Sequence, residues 1–567
     1  MQLGNRLRGL VIVAAVLAFG LPTSLLGQEK PQRITSEVQA AGEGDPVAVV
    51  SIANLNKIFA DIRYMAEVAG QEQAAQTIEF LASSYTTGID RTRPWGVAVQ
   101  MIDGAPSPLI FLPSKDIKRF LRILEAQIGP PDDLGNGKLA IALGANIFFI
   151  QQVGDWAFAA PDEAMLENLP ADPSAWLAGM GDVYNVGLRA NVQALSPEQR
   201  ELVISQLREG FETGMAQQPA ESAEQIREVA ERSLDQLESL INESNVIQAG
   251  FAIEPANKRL KFEFAATAVT GSELAEIYDG SKVIPSKFAS VISPEAVAFF
   301  HAASSISPKG IEQSKASLKE AVASTRGTLE LAENLSETDR KELLVFLDRL
   351  IEIGAATLDE GKSDVGGMIR IDDEQLNAVA GFFVSDGSKV AQLAKDLAAK
   401  LRESGQAEQL KFLFDADNYK GVVLHYVETD VPESETQVRQ IFGPTIRLII
   451  GTGPDAVYLA AGKEGESFLK GLIDSASGDQ GGERPLVQAE LRLLPILEFA
   501  QGLYANDAVE SMIEILSSND QSDRVQFVTE TVPRGSVTAL TIGEGILRAV
   551  GSAVAAQAGM AQQGDQF

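Results

Sequence analysis

Cysteine is absent from all 567 residues, and histidine occurs only twice, at His301 and His425. The first absence rules out disulfides, thiolate nucleophiles and cysteine-ligated zinc. The second leaves too few imidazoles for the usual catalytic zinc site, which takes two or three. Serine-type hydrolysis needs a base beside its nucleophile, normally histidine, and no G-x-S-x-G elbow accompanies either one. Aromatics are sparse at 6%, with three Trp, where a sugar-binding surface would offer more. Basic residues are also in deficit. Against 78 Asp and Glu stand 47 Lys and Arg, for a net charge of −31. So acidic a surface repels phosphate backbones, which argues against nucleic acid as a partner, and it disfavours anionic headgroups for the same reason.

Long apolar runs are missing too, except at the start. Arg6 and Arg8 precede an apolar stretch from Leu10 to Leu21, followed by Pro22 and small residues around Ser24 and Gly27. This order of basic, apolar and small residues reads as a secretory signal. The run is shorter than the ~20 residues a membrane-spanning helix needs. The expectation is an exported chain, periplasmic or secreted, with no transmembrane segment once the signal is removed. Without disulfides, such a chain must be held by its core, which its length permits.

What is present is a stretch that occurs twice. Residues 95–128 read WGVAVQM, DGAPS, PLIFLPSKDIKRFLRILEAQI; from Gly367 the pattern returns as GMIRI, DDEQLN, AVAGFFVSDGSKVAQLAKDLAAKL. Each predicts strand, tight turn, strand and a helix opened by a Ser-Lys pair, Ser114-Lys115 or Ser388-Lys389. The spacing is that of a whole domain. Hairpins are expected at 95–112, 245–268, 367–384 and 524–542. Strands ending in Leu-Arg are expected at 183–190 and 486–493, and helices opening at Pro161 and Glu464.

Amphipathic helices fill the intervals. Asn54 caps one carrying Leu55, Ile58, Phe59, Ile62 and Met65, and the next has Ala75, Ile78 and Leu81 on one face. Ile117, Phe120, Leu121, Leu124 and Ile128 stripe the helix of the repeated stretch. Ser196 and Gln199 form a capping box before a stripe of Leu202, Leu207 and Phe211. A long helix is expected over 220–240, and others over 310–353, the last capped by Ser336.

The segments VQALSPEQRELVISQLREG (192–210), after a strand ending in Leu-Arg, and NVIQAGFAIEPANKRLKFEF (245–264) resemble a module in uncharacterised exported proteins of planctomycete bacteria. The likeness covers most of 45–270 and, more loosely, 290–550. It implies export and a two-module fold, and nothing about chemistry.

Three short motifs invite a chemical reading. Glu360-Gly361-Lys362-Ser363 resembles the end of a phosphate loop, but Ala356 stands where the motif needs glycine and a helix precedes it. Gly451-Thr452-Gly453-Pro454 is a turn between apolar segments, with no following helix to cradle a cofactor. Asp415-Ala416-Asp417-Asn418 opens like a calcium loop, yet Lys420 and Tyr426 replace the required Gly and Glu, and a hairpin turn explains it better. The sequence therefore assigns no catalytic, cofactor-binding or metal-binding residue and implies no cofactor.

The fold expected is α+β: two tandem related modules, each a mainly antiparallel β-sheet packed with long amphipathic helices. The boundaries expected are a signal at 1–27, a linker at 28–44, modules at 45–285 and 286–550, and a tail at 551–567. The function expected is that of a non-catalytic exported scaffold or binding protein, its partner a protein or an apolar small molecule. The alternatives are a carrier of a lipid-like ligand in a helix/sheet groove, and a carboxylate-dependent hydrolase with an acidic cleft between modules. A buried, converging cluster of ionisable side chains would count against the non-catalytic reading.

Overall fold

The computed structural model describes residues 46–552, except 103–104, 145, 216–233, 235–236, 332–336, 373–374, 404–408, 477–483 and 518–522. The expected signal, linker and tail, most of the 220–240 helix, the Ser336 cap and parts of the two repeated turns lie outside the described residues.

The described chain is α+β with antiparallel sheet, and it divides into two units. One comprises residues 46–275 with 532–552, the other 276–517 with 523–531. In the first, the strands are β1 (Ala48–Ile52), β2 (Trp95–Ile102), β3 (Ala105–Pro113), β4 (Asp132–Gly135), β5 (Lys138–Leu143), β6 (Asn146–Val153), β7 (Trp156–Ala160), β8 (Val186–Asn191), β9 (Ser244–Glu254) and β10 (Arg259–Ala268). They lie in the order β4-β5-β6-β7-β3-β2-β1-β8-β9-β10, every neighbour antiparallel. In the second unit are β11 (Ala298–Ser305), β12 (Lys362–Asp372), β13 (Gln375–Phe383), β14 (Leu410–Tyr419), β15 (Val422–Asp430), β16 (Thr445–Thr452), β17 (Ala456–Ala461), β18 (Val487–Arg492) and β19 (Arg524–Val532). Their order is β14-β15-β16-β17-β13-β12-β11-β18-β19, again antiparallel. The last strand, β20 (Gly535–Gly543), was expected to close the second module. It bonds along β10 from Arg259 to Thr267 and belongs to the first unit.

Helices form where apolar spacing and capping agree. In α1 (Leu55–Val68), Asn54 Oδ1 accepts the Lys57 N–H at 2.9 Å. Helix α2 (Glu72–Tyr85) follows it. In α3 (Ile117–Ile128), Asp116 caps Arg119, and Ile117 and Leu121 are buried as the stripe requires. Ser196 and Gln199 exchange bonds in a capping box at the start of α4 (Pro197–Met215). The second unit carries α5 (Pro308–Leu331), α6 (Glu337–Leu358), α7 (Gly387–Glu403), α8 (Gly465–Ser475), α9 (Leu493–Leu503) and α10 (Asp507–Ser517). There Phe346 and Ile353 of α6 and Leu393 and Leu397 of α7 pack on one face of β14–β17. Leu469, Leu472 and Ile473 of α8 pack on the other, with Phe288. Each fully buried Leu or Ile contributes roughly 1.5–3 kcal/mol, so this two-sided core anchors the unit.

Several details depart from expectation. No long helix opens at Pro161; single 3-10 turns occupy Glu163–Leu166 and Pro173–Leu177, each capped by an aspartate, and the left-handed Ala178 and Gly179 end the second. Leu202 and Leu207 are exposed, and Ile204 is the residue of α4 that reaches the core, against Val192 and Ile241. Ile78 is likewise exposed. Periodicity marks an apolar stripe but not whether a sheet lies opposite it. The Ser-Lys pairs also differ. Ser114 precedes α3 and donates its hydroxyl to Gly88 O, whereas Ser388 lies inside α7. The residues in matching places are Asp116 and Asp386, each accepting a backbone N–H at its helix start.

Candidate functional site

The three short motifs all lie at turns or irregular backbone. Gly361 is a left-handed residue (φ 68°) between α6 and β12, so a strand follows it where a phosphate loop needs a helix. Gly453 and Pro454 turn β16 into β17, with the Gly453 N–H on Ala456 O. Asp415–Asn418 is not the hairpin turn. It is a bulge within β14, where the register to β15 shifts between Leu413 and Asp417, and Lys420-Gly421 makes the turn. The bulge gives Asp415 a φ of 52° and aims its N–H at His425 Nδ1, 3.0 Å away.

His425 is fully buried in β15. Because Nδ1 accepts that backbone N–H, the ring proton lies on Nε2 and is donated to Thr452 Oγ1 at 3.0 Å. Burial holds its pKa below the ordinary value of 6.5, more than the Asp415 carboxylate raises it. The unfolded chain therefore binds the proton first on acidification. The stability this residue contributes is complete above pH ~6.5 and is lost as pH falls toward the depressed value, with a slope of at most about 1.4 kcal/mol per pH unit. Replacing His425 with glutamine is expected to flatten that part of the stability–pH curve, measured by urea unfolding between pH 5 and 7 in a buffer series; an unchanged slope would contradict this account.

His301, in β11, belongs to a second buried group. Ser286 Oγ donates to Asp364 Oδ1 at 2.6 Å, accepts the Phe288 N–H at 2.9 Å, and lies 2.9 Å from His301 Nε2. The Lys287 N–H completes Asp364 at 2.8 Å, and burial raises the Asp364 pKa. The residue types are those of a hydrolase triad, but the order is wrong. Serine sits between the other two, and with its one proton given to Asp364 it can only accept from His301. The imidazole therefore cannot remove the serine proton through Nε2. Ser286, His301 and Asp364 are all buried, and the network ties the segment before β11 to β11 and β12.

The third group is in the first unit. Lys261 Nζ and Glu263 Oε2 are 2.5 Å apart, and both side chains are almost wholly inaccessible. The Tyr184 hydroxyl donates to Glu263 Oε1, and burial together with that carboxylate drives the phenol pKa up. Tyr184 reaches this place across Gly250, where a β-carbon would come within 2.3 Å of its ring. Converging ionisable clusters thus exist, contrary to the simplest form of the sequence reading. Ser286, His301 and Asp364 are bonded to one another, as are Lys261, Glu263 and Tyr184, and all six are buried.

The opposite face of the same strands is unusual. In β10, Lys261 and Glu263 point inward while Phe262 and Phe264 are 43% and 42% exposed. Two strands away on the same face, Val186 and Leu188 of β8 are 45% and 40% exposed. Phe251 of β9 pairs with both Val186 and Phe262 in register, its ring centroid 5.0 Å from that of Phe262. A strand reading Lys-Phe-Glu-Phe would be expected to bury its phenylalanines, and a slip of one residue would do so. The fit of Tyr184 over Gly250 fixes the register the other way. Sequence reasoning found the hairpin but not this inversion. The glycine opposite Glu263 was its one signal, marking a close approach on that side.

Among the described residues no group of three or more His, Asp or Glu could hold a metal ion, and no helix is long and apolar enough to cross a membrane. No protein-family model matches the chain, and neither the curated proteins nor the solved structures include a significant match to it.

Proposed function

We propose that this chain is a non-catalytic, exported scaffold or binding protein built from two related units, and that the aromatic sheet face of β8–β10 is its contact surface for an apolar, lipid-like ligand. The observation that carries the reading is the inversion in β10. The strand keeps a charged pair inside and two phenylalanines outside, with Phe251 beside Phe262 and Val186 and Leu188 one strand beyond on the same face. Exposed apolar groups in one contiguous patch are a mark of recognition. The buried ionisable clusters count against the non-catalytic part; it is kept because Asp364, His301, Glu263, Lys261 and His425 are each engaged by neighbouring groups away from solvent.

Relatedness of the units is supported by connectivity. Replacing each strand number n of the first unit by n + 10 reproduces the order of the second through nine strands. Matching backbone bonds recur as well: Ser114 N–H to Asp155 O, and Val384 N–H to Asp455 O. Export rests on the basic, apolar and small segments of residues 1–27.

Native mass spectrometry of the protein purified from its own cell envelope tests the ligand. The expected result is a species heavier than the polypeptide that reverts to it on organic extraction. Bare polypeptide mass in every preparation would overturn the lipid-like ligand.

A further inference from the structure

We propose that Lys57 and Asn185 become joined by an intramolecular isopeptide bond, formed by the chain itself with Asp61 as the proton carrier. The three side chains meet in the first unit. Lys57 lies in the first turn of α1, and Asp61 stands one turn later on the same face. Asn185 immediately precedes β8. Its backbone is pinned from both sides: its N–H bonds to Phe251 O at 2.8 Å, and its carbonyl accepts the Ala53 N–H at 2.9 Å.

The Lys57 ammonium donates to the Asn185 side-chain oxygen and, at 3.4 Å, to Ile253 O, which holds the amine beside the amide. Lys57 Nζ is 3.2 Å from Asn185 Oδ1. That oxygen also accepts the Ile253 backbone N–H at 2.8 Å, which polarises the carbonyl and is placed to hold an oxyanion. Asp61 Oδ2 lies 2.6 Å from Lys57 Nζ and 2.6 Å from Asn185 Nδ2, so one carboxylate oxygen touches both the nucleophile and the leaving group. Asp61 and Asn185 are 4% and 6% exposed. The Lys57 side chain is 26% exposed, so the carboxylate and the amide are the dry part of the group, where interactions are strengthened, and fixed proximity replaces an encounter in solution.

The step balances without any co-reactant. Asp61 takes a proton from the Lys57 ammonium, and the freed lone pair attacks Asn185 Cγ. The charge that develops on Oδ1 is held by the Ile253 N–H. Asp61 then protonates Nδ2, the Cγ–Nδ2 bond breaks, and a new Nζ–Cγ amide remains. Of the three ammonium protons of Lys57, one stays on the amide and two leave with the asparagine nitrogen as ammonium. Asp61 ends as it began. In a chain without cysteine, such a bond supplies the covalent tie between a helix and a sheet that a disulfide cannot.

Peptide mapping by mass spectrometry of the purified full-length chain tests this. In the wild type trypsin is expected not to cut after Lys57. The peptide ending at Arg63 should be joined to the one ending at Arg189, the pair lighter by one ammonia than their sum. Asp61→Asn keeps the shape and removes the proton carrier, and Lys57→Arg removes the amine; both should give separate, full-mass peptides. Separate peptides from the folded wild type would overturn the bond. Joined peptides persisting in Asp61→Asn would overturn the role given to Asp61.

Discussion

Replacing Lys261 with methionine is expected to destabilise the folded chain by about 3–5 kcal/mol, because Glu263 would be left charged and unpaired in the interior. The pair is not valuable for its own attraction. Two charges removed from water pay a desolvation cost that their mutual attraction roughly offsets. The large loss comes from taking away one partner while the other stays buried, where Tyr184 supplies a single hydrogen bond to Glu263. Glu263→Leu should be damaging for the same reason. The double replacement Lys261→Met with Glu263→Leu should recover most of the loss, since an apolar pair of similar volume needs no solvation. Chemical denaturation of the four proteins provides the cycle. A single variant within about 0.5 kcal/mol of wild type would mean that the pair is solvated.

The second large effect concerns Phe288. Its ring is fully buried, packs edge-on against Tyr458 with centroids 5.7 Å apart, and lies over Gly381 of β13. A β-carbon at Gly381 would stand 2.3 Å from the ring. Phe288→Ala should therefore cost about 3–5 kcal/mol through the cavity it leaves. Gly381→Ala should be destabilising in the wild type through overpacking. Together the two should be less harmful than their sum, because each change relieves the other. Strict additivity in the double-mutant cycle would show that ring and glycine do not interact.

Much of the fold was legible in the sequence. Alternation and turn residues gave the hairpins at 95–112, 245–268 and 367–384, and Asn54, Ser196 and Gln199 marked helix starts that the structure keeps. These signals are local, and a few residues decide them. What was not legible depends on partners distant in sequence. Periodicity in α4 named Leu202 and Leu207, yet Ile204 is buried because Val192 and Ile241 await it. The charged and aromatic residues of β10 alternate in either register, and Tyr184, far upstream, lies over Gly250 and bonds Glu263 on the inward side. The meeting of Lys57, Asp61 and Asn185 is of the same kind. A lysine and an aspartate one helical turn apart are ordinary, and the asparagine 128 positions from Lys57 carries no mark in the sequence. The Asp415–Asn418 run was read as the hairpin turn, and it is instead a bulge within β14 in which His425 accepts the Asp415 N–H.

The proposed contact surface requires that Phe262 and Phe264 serve binding and not folding. The direct measurement is the unfolding free energy of Phe262→Ser/Phe264→Ser, together with binding of an environment-sensitive apolar fluorophore to the native protein. Exposed residues predict a stability change near that of ordinary surface substitutions, within about 0.5 kcal/mol for each site, and loss of the fluorophore signal. A loss of the size seen for buried phenylalanines, about 3–5 kcal/mol each, with fluorophore binding unchanged, would contradict it.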